Sequence, residues 1–161
     1  MVENQKLGNT TSGRKIMGIP ISEQDIRKLM DDEKWGTLIA VDNGQPYAVE
    51  TSFAVDDKYL YTGTKRGGRM NACLKKNPAA SFKICDGDHR GHKYRAAIVE
   101  SRAEILKQKD DILYCLKIIF EKLGLSCDNL ETKAETFTAG KGSLSLYRLP
   151  LQKLGGIRSA R

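Results

Sequence analysis

Between Tyr61 and Asn71 the chain reads Tyr-Thr-Gly-Thr-Lys-Arg-Gly-Gly-Arg-Met-Asn, its densest collection of groups able to hold an anion. Gly67 and Gly68 let the backbone come close to a ligand, and Lys65, Arg66 and Arg69 set cations around them. Met70, Cys73 and Leu74 then recur at helical spacing until Asn77-Pro78, an X-Pro step that ends a helix. The loop therefore runs into a helix start, where unpaired amides and the positive end of the helix dipole attract a phosphate dianion. Its spacing is not that of a P-loop. A solvated turn carrying surface cations has the same composition, so the local residues leave both readings open.

The stretch before it, Tyr47-Ala48-Val49-Glu50-Thr51-Ser52-Phe53, reads as a strand. Alternation puts Val49, Thr51 and Phe53 on one face and Ala48, Glu50 and Ser52 on the other. One face belongs to the core, and the remaining polar side chains suit the carbonyl and ring-nitrogen edge of a flat heterocycle as well as they suit solvent. Cys85 to His92 holds every type of zinc ligand in one loop, including His89 and His92, but matches no standard metal spacing. It is read as a polar connection between strands, with no metal site. No G-x-S-x-G and no cysteine-protease context occurs, so any chemistry is expected from a bound cofactor. Trp35 is read as a core anchor.

These residues need a scaffold. Ile21-Ser22-Glu23-Gln24-Asp25-Ile26 carries a helix-start signature, with Ser22 as cap, Asp25 reaching back and Ile21 packing on Ile26. From Trp35 the pattern changes to strands: 37–41, a turn at Asp42-Asn43-Gly44, 46–55, a turn at Asp56-Asp57, and 58–64. Strands over 79–85 and 94–106 follow the short helix. Ile112, Leu113, Leu116, Ile119, Phe120 and Leu123 then make one face of an amphipathic helix ending near Gly124, and 143–149 reads as a last strand. The order predicts a mainly β fold, an antiparallel barrel with helices at its openings. Residues 1–15 are expected to be a flexible arm, 16–150 one domain, and 151–161 a basic C-terminal tail.

The chain has 161 residues, 40% hydrophobic and 29% charged, which suits one core without disulfides or a structural metal. Four cysteines without a C-x-x-C pair and no recognisable leader point to reduced thiols in the cytoplasm. Charged residues interrupt every apolar run, so no membrane helix is expected. A net charge of +7 favours anionic partners, but no nucleic-acid recognition motif accompanies it. A phosphorylated small molecule is the favoured anion.

Taken together, the order of elements and the motifs resemble the pyridoxamine phosphate oxidase-like FMN-binding split-barrel superfamily, and in particular its nitroimidazole-resistance-type branch. The resemblance spans about Ile21 to Leu149. It rests on 35–41, on Gly44-Gln45-Pro46-Tyr47 with 49–55, on Leu60-Tyr61-Thr62 leading through Gly68-Arg69 to Leu74-Lys75-Lys76-Asn77-Pro78, and on Arg95 to Glu104. It implies a split β-barrel and a homodimer with FMN at the subunit interface. It places the phosphate on Lys65, Arg66, Gly68 and Arg69, with Thr62 and Thr64 nearby, and Glu50, Thr51 and Ser52 along the flavin ring.

Two departures stand out. The family's Ser-Arg-Lys cluster corresponds to Gly68-Arg69-Met70, so Met70 stands where a lysine is usual and Lys65 or Arg66 is expected to replace its charge. The oxidase's vitamin-binding arginine and histidine have no clear counterparts. The implied function is an FMN oxidoreductase that passes electrons from a reduced nicotinamide or other donor to a nitro compound or quinone. The alternative is a non-catalytic flavin- or haem-binding carrier on the same fold.

Overall fold

A computed structural model describes residues 18–87 and 93–159. The described elements run β1 (Ile19–Pro20), α1 (Glu23–Asp32), β2 (Trp35–Asp42), β3 (Gln45–Val55), β4 (Tyr59–Lys65), α2 (Arg69–Lys76), β5 (Ala79–Gly87), β6 (Tyr94–Arg102), β7 (Glu104–Ile105), α3 (Lys109–Leu123), α4 (Leu130–Thr138), β8 (Leu144–Pro150) and β9 (Leu154–Arg158). The strands form one antiparallel sheet in the order β1-β9-β6-β5-β2-β3-β4-β8-β7, curled into the half-barrel of a split-barrel fold.

Local chemistry sets the elements. Ser22 Oγ accepts the amide of Asp25 at 3.1 Å and donates to its carboxylate at 2.8 Å, starting α1 as the capping pattern predicts. Asn43 and Gly44 both take positive φ, 50° and 81°, the conformation a two-residue hairpin between β2 and β3 demands. Gly124, at φ 71°, ends α3 in a left-handed cap.

Strand β3 is the pivot of the sheet. Residues 45–52 pair with β2, whereas pairing with β4 begins only at Phe53, opposite Thr62. The sheet thus splits at Ser52, and residues 45–52 keep one open edge among the described residues.

Two apolar clusters hold the halves. Leu29 and Met30 of α1 pack with Leu38, Phe53, Leu60, Phe82 and Ile84, where the Phe53 and Phe82 rings lie 5.1 Å apart. Ile112, Cys115, Leu116 and Ile119 of α3 cover Ala54, Tyr61 and Leu146 and meet Leu130 and Ala134 of α4. Cys73 and Cys115 are buried, Cys85 and Cys127 exposed, and all four are free thiols. No described helix is long and apolar enough to cross a membrane.

Two expectations are corrected and one helix is added. The segment 151–161 is not simply a tail: 154–158 is strand β9, paired with both β1 and β6. The missing side chain at Gly156 admits α1, since a Cβ there would sit 2.7 Å from Ile26 Cγ1. Helix α4 was not anticipated, because its buried stripe is only Leu130 and Ala134 in a threonine-rich segment of weak helix propensity. Trp35 is not a core anchor; it is 59% exposed, because Gly36, Leu38 and Ala40 take the inward phase of β2. The arm at 1–15 and the loop histidines His89 and His92 lie outside the described residues.

Candidate functional site

The split at Ser52 opens a cleft of about 490 Å³ between the free edge of β3 and helix α3. Glu50, Thr51 and Ser52 line one wall, and Thr64, Lys65, Gly68, Arg69 and Met70 close one end. Both faces of β3 reach the cleft because the cavity looks onto the strand's unpaired edge rather than onto either face. Along that edge the wall offers backbone N–H and C=O groups as well as side chains.

The polar wall is held by its own hydrogen bonds. Thr37 donates to the Glu50 carboxylate from the neighbouring strand. Thr51 Oγ1 donates to the carbonyl of Gly63 at 2.9 Å, which bridges β3 to β4 where their ladder is missing. Thr62 is fully buried, donates to the carbonyl of Ser52 at 2.9 Å, and does not line the cleft. It supports the wall from behind.

At the closed end β4 passes through the turn 65–68 into α2. Gly68 is the N-cap and supplies no side chain to cap the helix, so the first amides of α2 are left for another acceptor. The amide of Gly68 itself bonds the carbonyl of Lys65 at 2.9 Å. A Cβ on Gly68 would lie 3.1 Å from that carbonyl oxygen, so a side chain would push the turn open. Asn71, buried, donates to the carbonyl of Arg66 and accepts from Tyr147 Oη at 2.5 Å. That bond ties the turn to β8.

The three cations of this loop diverge. Lys65 lines the cleft. Arg69 lines it too, with Nε 2.8 Å from Asp42 Oδ2 and the guanidinium 4.3 Å above the ring of Tyr47. The hydrogen bond from Arg69 to Asp42 raises its pKa further, so it is a permanent cation. Arg66 points elsewhere: Nε donates to the carbonyl of Gly142 at 2.7 Å, and Nη2 reaches those of Phe137 and Leu144. It does not line the cleft, and among the described residues Lys65 with Arg69 is the cationic pair there. Met70, where the resemblance expects a lysine, is buried at the cleft floor.

The opposite wall was not anticipated as part of a site. Leu116, Ile119, Phe120 and Leu123, one stripe of α3, face the polar edge of β3 across the cleft, and Trp35 stands exposed on the rim. The periodicity of α3 was legible, but nothing in a linear pattern says which part of an apolar stripe covers a core and which lines a cavity. One atom is unusual: Thr64 Oγ1, in the cleft wall, is buried and the one such side-chain oxygen among the described residues without a partner. Among those residues no cluster of His, Cys, Asp or Glu suits a metal ion.

Comparison with solved structures gives the same fold at low sequence identity. A FAD-binding protein from Mesorhizobium loti superposes with a TM-score of 0.69 at 18% identity, over 90% of this chain and 98% of that one. A candidate 5-nitroimidazole antibiotic resistance protein from Bacteroides thetaiotaomicron gives 0.71 at 16% identity, covering 88% and 87%. The FAD and heme binding protein from Mycobacterium smegmatis gives 0.67 at 14% identity, covering 87% and 72%. A search of curated protein sequences returns no match. The model of the pyridoxamine 5'-phosphate oxidase family matches residues 22–158, from the cap of α1 to the end of β9, and the chain therefore belongs to that family.

Proposed function

We propose that the cleft binds FMN and that the protein is a cytoplasmic, homodimeric oxidoreductase passing electrons from a reduced nicotinamide or similar donor to a small acceptor such as a nitro compound or quinone. The observation that carries this reading is the division of one cleft into two chemistries. An uncapped helix start with Lys65 and Arg69 lies at one end, and a polar strand edge facing an apolar helix stripe forms the length. A phosphate suits the first and a flat heterocycle the second.

The residues present fit the group. Thr64 Oγ1 is a buried hydroxyl lacking a partner beside the cationic end, and the side-chain-free Gly68 leaves the helix amides accessible. The bound flavin supplies the capacity to take up and release an electron pair. The chain's own part is positioning: Lys65 and Arg69 neutralise the phosphate, Glu50 and Ser52 present hydrogen-bonding groups to the ring edge, and the α3 stripe excludes water from its face. Exposed Trp35 on the rim and exposed Leu144 at the cleft wall support a second subunit closing the opening.

The visible spectrum of the purified protein, with mass identification of what denaturation releases, tests the cofactor. Flavin bands and released FMN are expected; a colourless protein that fails to bind added FMN overturns the reading. Steady-state oxidation of NADH or NADPH by the loaded protein then separates an enzyme from a carrier.

A further inference from the structure

Arg66, turned away from the cleft, lines a second cavity of about 280 Å³ beside β8. Lys75 of α2 and Lys107, just before α3, line the same cavity. No described Asp or Glu lines it, and none of the ion pairs among the described residues includes Arg66, Lys75 or Lys107. Arg69 in the cleft is by contrast paired with Asp42. Three like charges around one small space repel one another, and a bound anion relieves that repulsion.

The cavity is also built to hold its cation in place. Three backbone carbonyls, of Gly142, Phe137 and Leu144, fix the Arg66 guanidinium through Nε and Nη2, while Nη1 carries no hydrogen bond among the described residues. Carbonyls orient a guanidinium without cancelling its charge, which leaves it available to a charged ligand. Ser145, buried, adds a polar residue to the lining. We infer that this cavity is a second anion site, separate from the cleft, taking a compact ligand with two or more phosphate or carboxylate groups.

The two cavities share a partition. Leu144 and Leu146 line both, and the turn 65–68 sends Lys65 to one side and Arg66 to the other. Asn71 grips the Arg66 carbonyl, so an anion that draws in Arg66 acts on the turn that carries Lys65 and Gly68. The ligand's anionic group has two sources, a free small polyanion or the second phosphate of a dinucleotide whose ring lies in the cleft, and these compete differently.

Titration with inorganic pyrophosphate, followed by calorimetry at fixed ionic strength, tests the site. Wild type should bind it, and Lys107→Ala or Lys75→Ala should each weaken binding about tenfold, one charge-assisted contact's worth. Lys58→Ala, an equal charge change in the exposed β3–β4 turn, should leave it unchanged. Pyrophosphate that binds alongside saturating FMN and alongside FAD identifies a free anion as the ligand. Pyrophosphate displaced by FAD but not by FMN identifies a dinucleotide's distal phosphate. Absence of binding, or equal losses in Lys58→Ala and Lys107→Ala, overturns the second site. None of these results bears on whether FMN itself binds, which direct titration of the cleft decides separately.

Discussion

Tyr147 Oη donates to Asn71 Oδ1 at 2.5 Å, one of the bonds by which strand β8 fixes the turn that starts helix α2. Burial pushes the Tyr147 phenol up to about 12, so it remains a proton donor across the physiological range. Replacing it with Phe strands a buried amide oxygen, a loss of about 1–3 kcal/mol. For a domain of this size about 2–4 °C of Tm accompanies each kcal/mol. Tyr147→Phe should therefore lower Tm by several degrees and weaken FMN binding, because the Arg66 carbonyl loses its fixed partner. An unchanged Tm in calorimetry would show that water replaces the phenol at no cost.

Arg69 is paired with Asp42 and, in the proposed site, also faces the phosphate. Its bond to Asp42 holds the side chain over Tyr47 but also spends part of its charge, so its contribution to a phosphate lies at the weak end of charge-assisted bonds. At about 1.5 kcal/mol, Arg69→Ala should weaken FMN about tenfold. Riboflavin, which lacks the phosphate, should respond hardly at all. Matching fluorescence titrations of wild type and variant with FMN would remove Arg69 from the site.

The sequence made the elements around the cleft readable because each carries a local signal. Asp42-Asn43-Gly44 marks the hairpin, Ser22 with Asp25 marks α1, and the apolar spacing from Ile112 marks α3. What it did not make readable were consequences of pairing between distant segments. Arg66 and Lys65 are adjacent and chemically alike, and only the carbonyls of Phe137, Gly142 and Leu144 decide that Arg66 leaves the cleft. Strand β9 hid in a glycine pair of which Gly156 leaves room for Ile21 and Ile26, far away in sequence. Trp35 is a different case: placing Leu38 and Ala40 inward forces Trp35 outward, and that alternation was available from the start.

The exposed indole carries its own expectation. Trp35 lies opposite Ser52 in the β2–β3 register, at the mouth of the cleft, where a second copy of the chain would cover it. Sedimentation of the FMN-loaded protein should give a dimer. Trp35→Asp, which puts a charge at the centre of that contact, should shift it to monomer while leaving far-ultraviolet circular dichroism intact. A wild-type monomer that holds FMN tightly would end the dimer proposal.

Lys122 predicts a pH dependence of stability. It reaches from α3 to donate to the carbonyl of Met30 at 2.5 Å, with Nζ 3.8 Å from the centre of the Phe53 ring, and so places a cation at the end of α1, whose last turn contains no basic residue. Burial nevertheless lowers its pKa to about 8, against the opposing pull of Asp31 and Glu33. Between pH 8 and its ordinary value of 10.5 the unfolded chain then holds a proton at Lys122 that the folded chain has released. Stability rises with pH wherever the unfolded state binds more protons, so this group's contribution is least favourable below pH 8 and improves through that window. Cys115 and Tyr147, both pushed up to about 12 by burial, act in the opposite direction at high pH. Their effect is common to wild type and to Lys122→Met, and it cancels when the two are compared. The stability of wild type minus that of Lys122→Met, from urea unfolding at pH 7.5 to 9.5, should therefore increase with pH. A difference that is flat or falls would mean that the Met30 carbonyl and the face of Phe53 stabilise the ammonium more than burial penalises it.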